Sequence, residues 1–131
     1  ETLGTRSFPS EMSIGNAVDF QNIIGTKRKE ERLRYLKNYW AEKAMKIPGV
    51  KLNTSLKPQF SCALANFSIE GITPQDIESK LFDKYKIHTV AINWENIHGA
   101  RIAPNVYTSL ADLDLLVKGI KEIAEEAKVQ K

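Results

Sequence analysis

Apolar spacing changes period at Pro48-Gly49, and that switch restricts the chain to folds in which a helical opening precedes a sheet-bearing remainder. Ahead of it, Ile14, Ala17, Val18 and Ile24 recur at helical spacing, and Leu33, Leu36, Trp40 and Ala44 make a second stripe. Residues 1–9 read as an irregular lead-in because Gly4, Ser7 and Pro9 discourage regular structure. Ser10 is placed to cap the first helix, Gly25 to end it, Thr26 to cap the second, and Pro48-Gly49 to stop it.

Beyond the stop the spacing alternates, first over residues 50–53 and then over residues 61–69, where Ala63, Ala65, Phe67 and Ile69 share a face. Thr73-Pro74-Gln75-Asp76 combines an N-cap, a first-turn proline and a carboxylate, and so opens a helix with Ile77, Leu81 and Tyr85 facing inward. Val90, Ile92 and Trp94 alternate along another strand, a turn follows over residues 95–99, and residues 100–103 form a short strand. Ser109 with Asp112 repeats the capping box before Leu113, Leu116, Val117, Ile120 and Ala124. This order predicts an α+β fold, a mainly antiparallel sheet with helices on one face, preceded by a helical connecting arm.

With 131 residues, 42% of them hydrophobic, the chain can bury the core of one compact domain. The 19 basic and 16 acidic residues give net +3. The basic ones crowd at Lys27, Arg28, Lys29, Arg32, Arg34 and Lys37, but Glu30 and Glu31 interrupt them, which predicts a solvated helix face and no nucleic-acid partner. His88 and His98 have no Cys or His at ligand spacing, so no metal site is expected. No apolar run reaches membrane-spanning length, and no membrane partner is expected. Cys62, the single cysteine, excludes an internal disulfide and fits a reducing compartment, with the cytoplasm as the expected location. Its place in an alternating run predicts a buried, inert thiol. The first residue, Glu1, leads to the expectation of a processed protein or a piece of a longer one.

Arg101 is the candidate for chemistry. Period two sends it with Ala103 to one face of its strand and Ala100 with Ile102 to the other. Pro104 biases Ala103 toward extended backbone, so the guanidinium stands on a stiff strand end. Its planar fork suits a carboxylate, although from pattern alone a structural salt bridge accounts for such an arginine better.

The run Gly99-x-Arg101-x-x-Pro104-Asn105-x-Tyr107-Thr108-Ser109 resembles the small domain of class V aminotransferase-like enzymes, which use pyridoxal 5'-phosphate and have the type I fold. It is most similar to the isopenicillin N epimerase-like branch. The resemblance continues through residues 89–93, 65–72, 32–36 and 47–50, and through Gly4-Thr5-Arg6 with Pro9. It implies that residues 1–25 are the end of a large domain and a first connecting helix, and that residues 26–131 are the C-terminal small domain with its long entry helix.

The same resemblance implies a homodimeric enzyme acting on an amino acid, either an aminotransferase or an epimerase. Arg101 would bind the substrate α-carboxylate, with Asn93 and His98 flanking the substrate-side loop. Thr5 would reach the cofactor phosphate of the neighbouring subunit, and Asn105 and Tyr107 would serve helix entry. The Schiff-base lysine, the acidic partner of the pyridine nitrogen and the ring over the cofactor belong to the family's large domain, so this portion by itself is expected to have no catalytic residue, to bind no cofactor and to be inactive. Family members that are cysteine desulfurases carry a nucleophilic cysteine shortly before the arginine, whereas residues 93–99 contain none, which makes that activity the lesser expectation. The alternative from another class is a stand-alone α+β module that binds a small ligand.

Overall fold

A computed structural model describes Gly4 and residues 7–129. The elements run α1 (Phe8–Ile24), α2 (Thr26–Ala44), β1 (Val50–Leu52), β2 (Ala65–Ile69), α3 (Pro74–Tyr85), β3 (Val90–Trp94), β4 (Ile97–Ile102) and α4 (Leu110–Val129). The four strands form one sheet in the order β1-β2-β4-β3, and every neighbouring pair is antiparallel. The expected α+β architecture is the one observed.

Helix starts follow capping chemistry. At α3, the Asp76 backbone N–H donates to Thr73 Oγ1 at 3.2 Å, and the Thr73 hydroxyl donates to Asp76 Oδ2 at 2.6 Å. At α4 the box is reciprocal, with Asp112 N–H to Ser109 Oγ and Ser109 N–H to Asp112 Oδ2, both at 3.1 Å. These bonds from Ser109 hold the Asp112 carboxyl below its usual range. The start of α1 differs from expectation: the helix begins at Phe8 with Ser7 at the N-cap, and Pro9 sits inside the first turn. Proline is accepted there because that turn's N–H groups have no intrahelical acceptor. Likewise Gly25, not Thr26, occupies the N-cap of α2, and no side chain caps it.

The sheet has one buried and one open face. Ala65, Phe67 and Ile69 of β2 and Ala100 and Ile102 of β4 face the helices, together with Leu36, Trp40, Ile77, Leu81, Leu116 and Ile120. Trp40 meets Phe67 edge-on, with centroids 5.9 Å apart at 69°, and both rings are fully buried. Residues 61–64 depart from the expected strand, since β2 begins only at Ala65. Cys62 therefore lies in an irregular segment at intermediate exposure, not buried in a strand. The turn over residues 95–99 is also shorter than expected: Trp94 pairs with Ile97, leaving Glu95 and Asn96 as a two-residue loop in which Glu95 takes φ 45°.

Gly99 and Gly119 meet different obstacles. A Cβ at Gly99 would lie 2.1 Å from the Phe67 carbonyl oxygen, which is backbone and cannot move aside, whereas at Gly119 it would meet the Leu81 methyl at 2.9 Å and the Tyr85 ring at 3.1 Å. Gly99→Ala is expected to destabilise by about 2–3 kcal/mol. Gly119→Ala is expected to stay within about 1 kcal/mol of wild type, because alanine's helix propensity offsets the crowding. Urea denaturation of the two variants checks the order, and equal losses would refute it.

Candidate functional site

The open face of the sheet is assembled by strand parity. Antiparallel register sets Arg101 opposite Asn66 on one side and opposite Val90 on the other. All three side chains therefore leave the sheet away from the helices. Arg101 is exposed and makes no hydrogen bond, ion pair or ring contact with any described residue. Neither of its cross-strand neighbours is acidic, so the structural salt bridge suggested by pattern alone has no counterpart among the described residues.

Arg32 and Arg34 are engaged, whereas Arg28, exposed on α2, is as unpartnered among the described residues as Arg101. Arg32 of α2 donates from Nη2 to the Thr108 carbonyl at 3.1 Å and from Nε to the Val106 carbonyl at 3.4 Å, tying the segment after Arg101 to the helix layer. That segment closes on itself through Thr108 N–H to the Asn105 carbonyl at 2.9 Å and Asn105 N–H to Thr108 Oγ1 at 3.0 Å. Asn105 thus lies in a closed turn ahead of α4, and Arg101 projects from a strand whose exit is fixed.

Asn93 and His98 form a cross-strand pair, with His98 Nδ1 hydrogen-bonded to the Asn93 side-chain oxygen. Parity puts this pair on the same side of the hairpin as Ala100, opposite to Arg101. The structure brings them to each other and not onto the arginine's face. Thr5 lies outside the described residues. A hollow of about 290 Å³ is lined by residues that include Lys51, Asn53, Ser68, Pro74, His98 and Gly99, and Arg101 is not among them.

Two groups escaped the sequence reading. Asn66, buried at 8% exposure on the open face, shares the outward positions of β2 with Ser68, so the alternation of the strand predicts a polar outward residue and gives no sign of its burial. Lys37 was assigned to a solvated face but is fully buried. Its Nζ donates to Ser61 Oγ at 2.5 Å, that hydroxyl donates to the Ser55 carbonyl, and Arg34, paired with Glu30, donates to the Ser61 carbonyl. Two cations of α2 thereby fasten the irregular segment between β1 and β2. Burial holds the Lys37 ammonium below the usual lysine range, Arg34 adds to the effect, and Cys62 opposes it.

No group of three metal-ligating side chains occurs among the described residues. A seat for pyridoxal phosphate at Arg101 would need a lysine beside it, and neither Lys37 nor Lys51 stands there. Lys37 is committed to Ser61, and Lys51, exposed on β1, stands two strands from Arg101 with β2 between them. Among the described residues, no helix is long and apolar enough to cross a membrane.

With this geometry in view, comparison with known proteins locates the chain. No family model matches it. It is 24% identical over 126 residues to isopenicillin N epimerase from Amycolatopsis lactamdurans, covering 95% of this chain and 32% of the epimerase. It is 27% identical over 130 residues to a probable cysteine desulfurase from Halalkalibacterium halodurans, covering 93% of this chain and 31% of that protein. Over nearly its whole length the chain is therefore similar in sequence to an isopenicillin N epimerase and a probable cysteine desulfurase. It spans about a third of the length of these relatives. Among solved structures, the apo cysteine desulfurase of Thermococcus onnurineus NA1 superposes at TM-score 0.83 with 18% identity, over 95% of this chain and 33% of that one. A NifS-like protein superposes at 0.75 with 19% identity, over 94% of this chain and 35% of its own. The fold is that of the C-terminal small domain of NifS-like class V enzymes.

Lys37 offers a pH test of the seam between α2 and residues 53–64. A lysine depressed in the folded state is outcompeted for protons by the unfolded chain at pH values between its folded pKa and the usual 10.5, so stability increases with pH across that window. Wild type is therefore expected to gain stability relative to Lys37→Met as pH is raised toward 10.5. Urea midpoints of both proteins measure this, and a pH-independent difference would mean that the ammonium is not desolvated.

Proposed function

We propose that this chain is the C-terminal portion of a pyridoxal-phosphate-dependent enzyme, an aminotransferase or an isopenicillin N epimerase-like epimerase, in which Arg101 binds the α-carboxylate of an amino-acid substrate. The observation that carries this reading is an exposed guanidinium on a rigid strand, with no partner among the described residues and no acidic cross-strand neighbour. Two parallel N–H···O bonds from one planar fork fix both the position and the plane of a carboxylate. Such a clamp orients the bond to be broken at the adjacent carbon relative to a reactive group supplied elsewhere.

The reactive half of the site lies outside this chain in our reading, a placement supported by the chain's spanning about a third of the length of its relatives. Residues 1–25 then serve as the end of the large domain and its connecting helix, and residues 26–131 as the small domain. The intact enzyme is a cytoplasmic homodimer with no nucleic-acid or membrane partner. Thr5 contacts the cofactor phosphate across the dimer, and Asn93 with His98 flanks the substrate loop. The exposed apolar side chains of α1, among them Phe8, Met12, Ile14 and Ile23, are consistent with a helix made to pack against further protein. A desulfurase reading draws on the names of several relatives, yet the tight β3–β4 loop has no cysteine, and Cys62 sits in the segment before β2.

Two outcomes follow. The isolated chain, incubated with pyridoxal phosphate and borohydride, is expected to show no stoichiometric lysine adduct by mass spectrometry; one uniquely labelled lysine would overturn the placement of the reactive half. In the full-length protein, Arg101→Lys is expected to weaken amino-acid binding roughly tenfold or more, the scale of one charge-assisted hydrogen bond, while cofactor absorbance is unchanged. Unaltered substrate affinity would make Arg101 structural.

A further inference from the structure

The open face of the sheet is divided in character. On β1 and β2 its side chains are polar: Lys51 stands opposite Ser68, and Asn66 accepts from Asn53. On β3 every outward position is apolar. Register sets Val90 opposite Arg101, Ile92 opposite Gly99 and Trp94 opposite Ile97, so these side chains leave the sheet on the arginine's side. An antiparallel sheet with one solvated face ordinarily turns its polar residues outward. Here Val90, Trp94 and Ile97 are exposed and Ile92 is half-buried, an apolar patch of the kind that marks a binding surface.

Arg101 closes one end of this row and is the one charged residue on the outward positions of β3 and β4. Its Cβ and that of Val90 lie about 5 Å apart, as opposed residues of antiparallel strands do. Ile92 follows Val90 on the same side of β3, about 7 Å further along the strand. An extended carbon chain advances about 1.2 Å per bond, so a side chain of roughly five carbons spans that interval. Covering Val90 and Ile92 removes apolar surface from water, which is favourable in proportion to the area covered. A charged side chain laid on the same row loses hydration and finds no partner there.

We infer that Val90 and Ile92 select the substrate's side chain, and that the amino acid gripped by Arg101 carries an extended apolar one. The inference rests on the Arg101 reading above and adds to it the class of substrate. The carboxylate is held at the end of the row and the side chain lies along β3. A tetrahedral α-carbon with these two substituents on the sheet turns the other two, the amino group and the hydrogen, away from it. Both are then presented to a reactive group supplied from outside the sheet.

The test uses the unmutated 131-residue chain, labelled with ¹⁵N at arginine and ¹³C in the valine and isoleucine methyls, and titrated at constant ionic strength with sodium acetate or sodium hexanoate. Both are expected to shift the Arg101 Nε–H, hexanoate with a dissociation constant about tenfold lower, and hexanoate alone to shift the Val90 and Ile92 methyls. Val90→Thr combined with Ile92→Thr keeps the β-branched shape of the strand and is expected to bring the two constants within about twofold of each other. Equal constants in the unmutated chain, or methyls that stay still while Arg101 responds, would overturn the side-chain row and leave the Arg101 reading intact. A preference retained by the double variant would overturn its assignment to these two residues. An Arg101 silent to both probes would overturn the row and the clamp together.

Discussion

The contact on which the rest depends is the edge-to-face packing of Trp40 on Phe67. It joins the long helix α2 to the strand β2 at the centre of the core, and both rings are removed from water. Fixing Phe67 inward fixes the parity of β2, so that Asn66 is turned outward. The ladder to β4 then turns Arg101 outward beside it. A one-residue slip of β4 would send the guanidinium into the core and Ala100 to the surface, and a slip of β2 would do the same to Asn66 and Phe67, which apolar burial on one face forbids.

With α2 anchored in this way, its charged residues act on the two segments that border the open face. Arg32 holds the exit of β4, and Arg34 with Lys37 holds the segment leading into β2. These are side chain to backbone bonds, or bonds to a hydroxyl, formed where water is largely excluded, and they specify loop conformation more than they add to stability. Surface pairs such as Lys43–Asp114 and Lys80–Glu126 contribute little beyond marking which helices are adjacent. Arg101 differs from Arg32, Arg34 and Lys37 in having nothing to hold among the described residues, and from the equally unpartnered Arg28 in standing on a sheet strand.

Much of the fold was legible because local rules and burial agreed. The capping boxes at Thr73 and Ser109 and the parity of Ala100, Arg101 and Ile102 all follow from short-range chemistry, and each is present in the structure. Failures arose where tertiary context overrode local pattern. Residues 61–64 alternate like a strand but have no partner strand, and α2 fastens Ser61 instead. Lys37 looked solvated because a charge run reads so, yet its long stem reaches the hydroxyl of Ser61 across a buried seam. Asn66 looked like an ordinary outward position of an alternating strand, and its burial appears only in the folded chain.

The sequence by itself determined the order of elements, the antiparallel α+β class, and the face from which Arg101 leaves its strand, because spacing and capping act within a few residues. It also carried the resemblance to class V enzymes. Only the tertiary structure decided that Arg101 stands without a partner among the described residues, that Asn66 is buried opposite it, and that Asn93 and His98 answer each other on the other side of the hairpin. Those facts depend on strand register and on side chains distant in sequence, which no local pattern encodes.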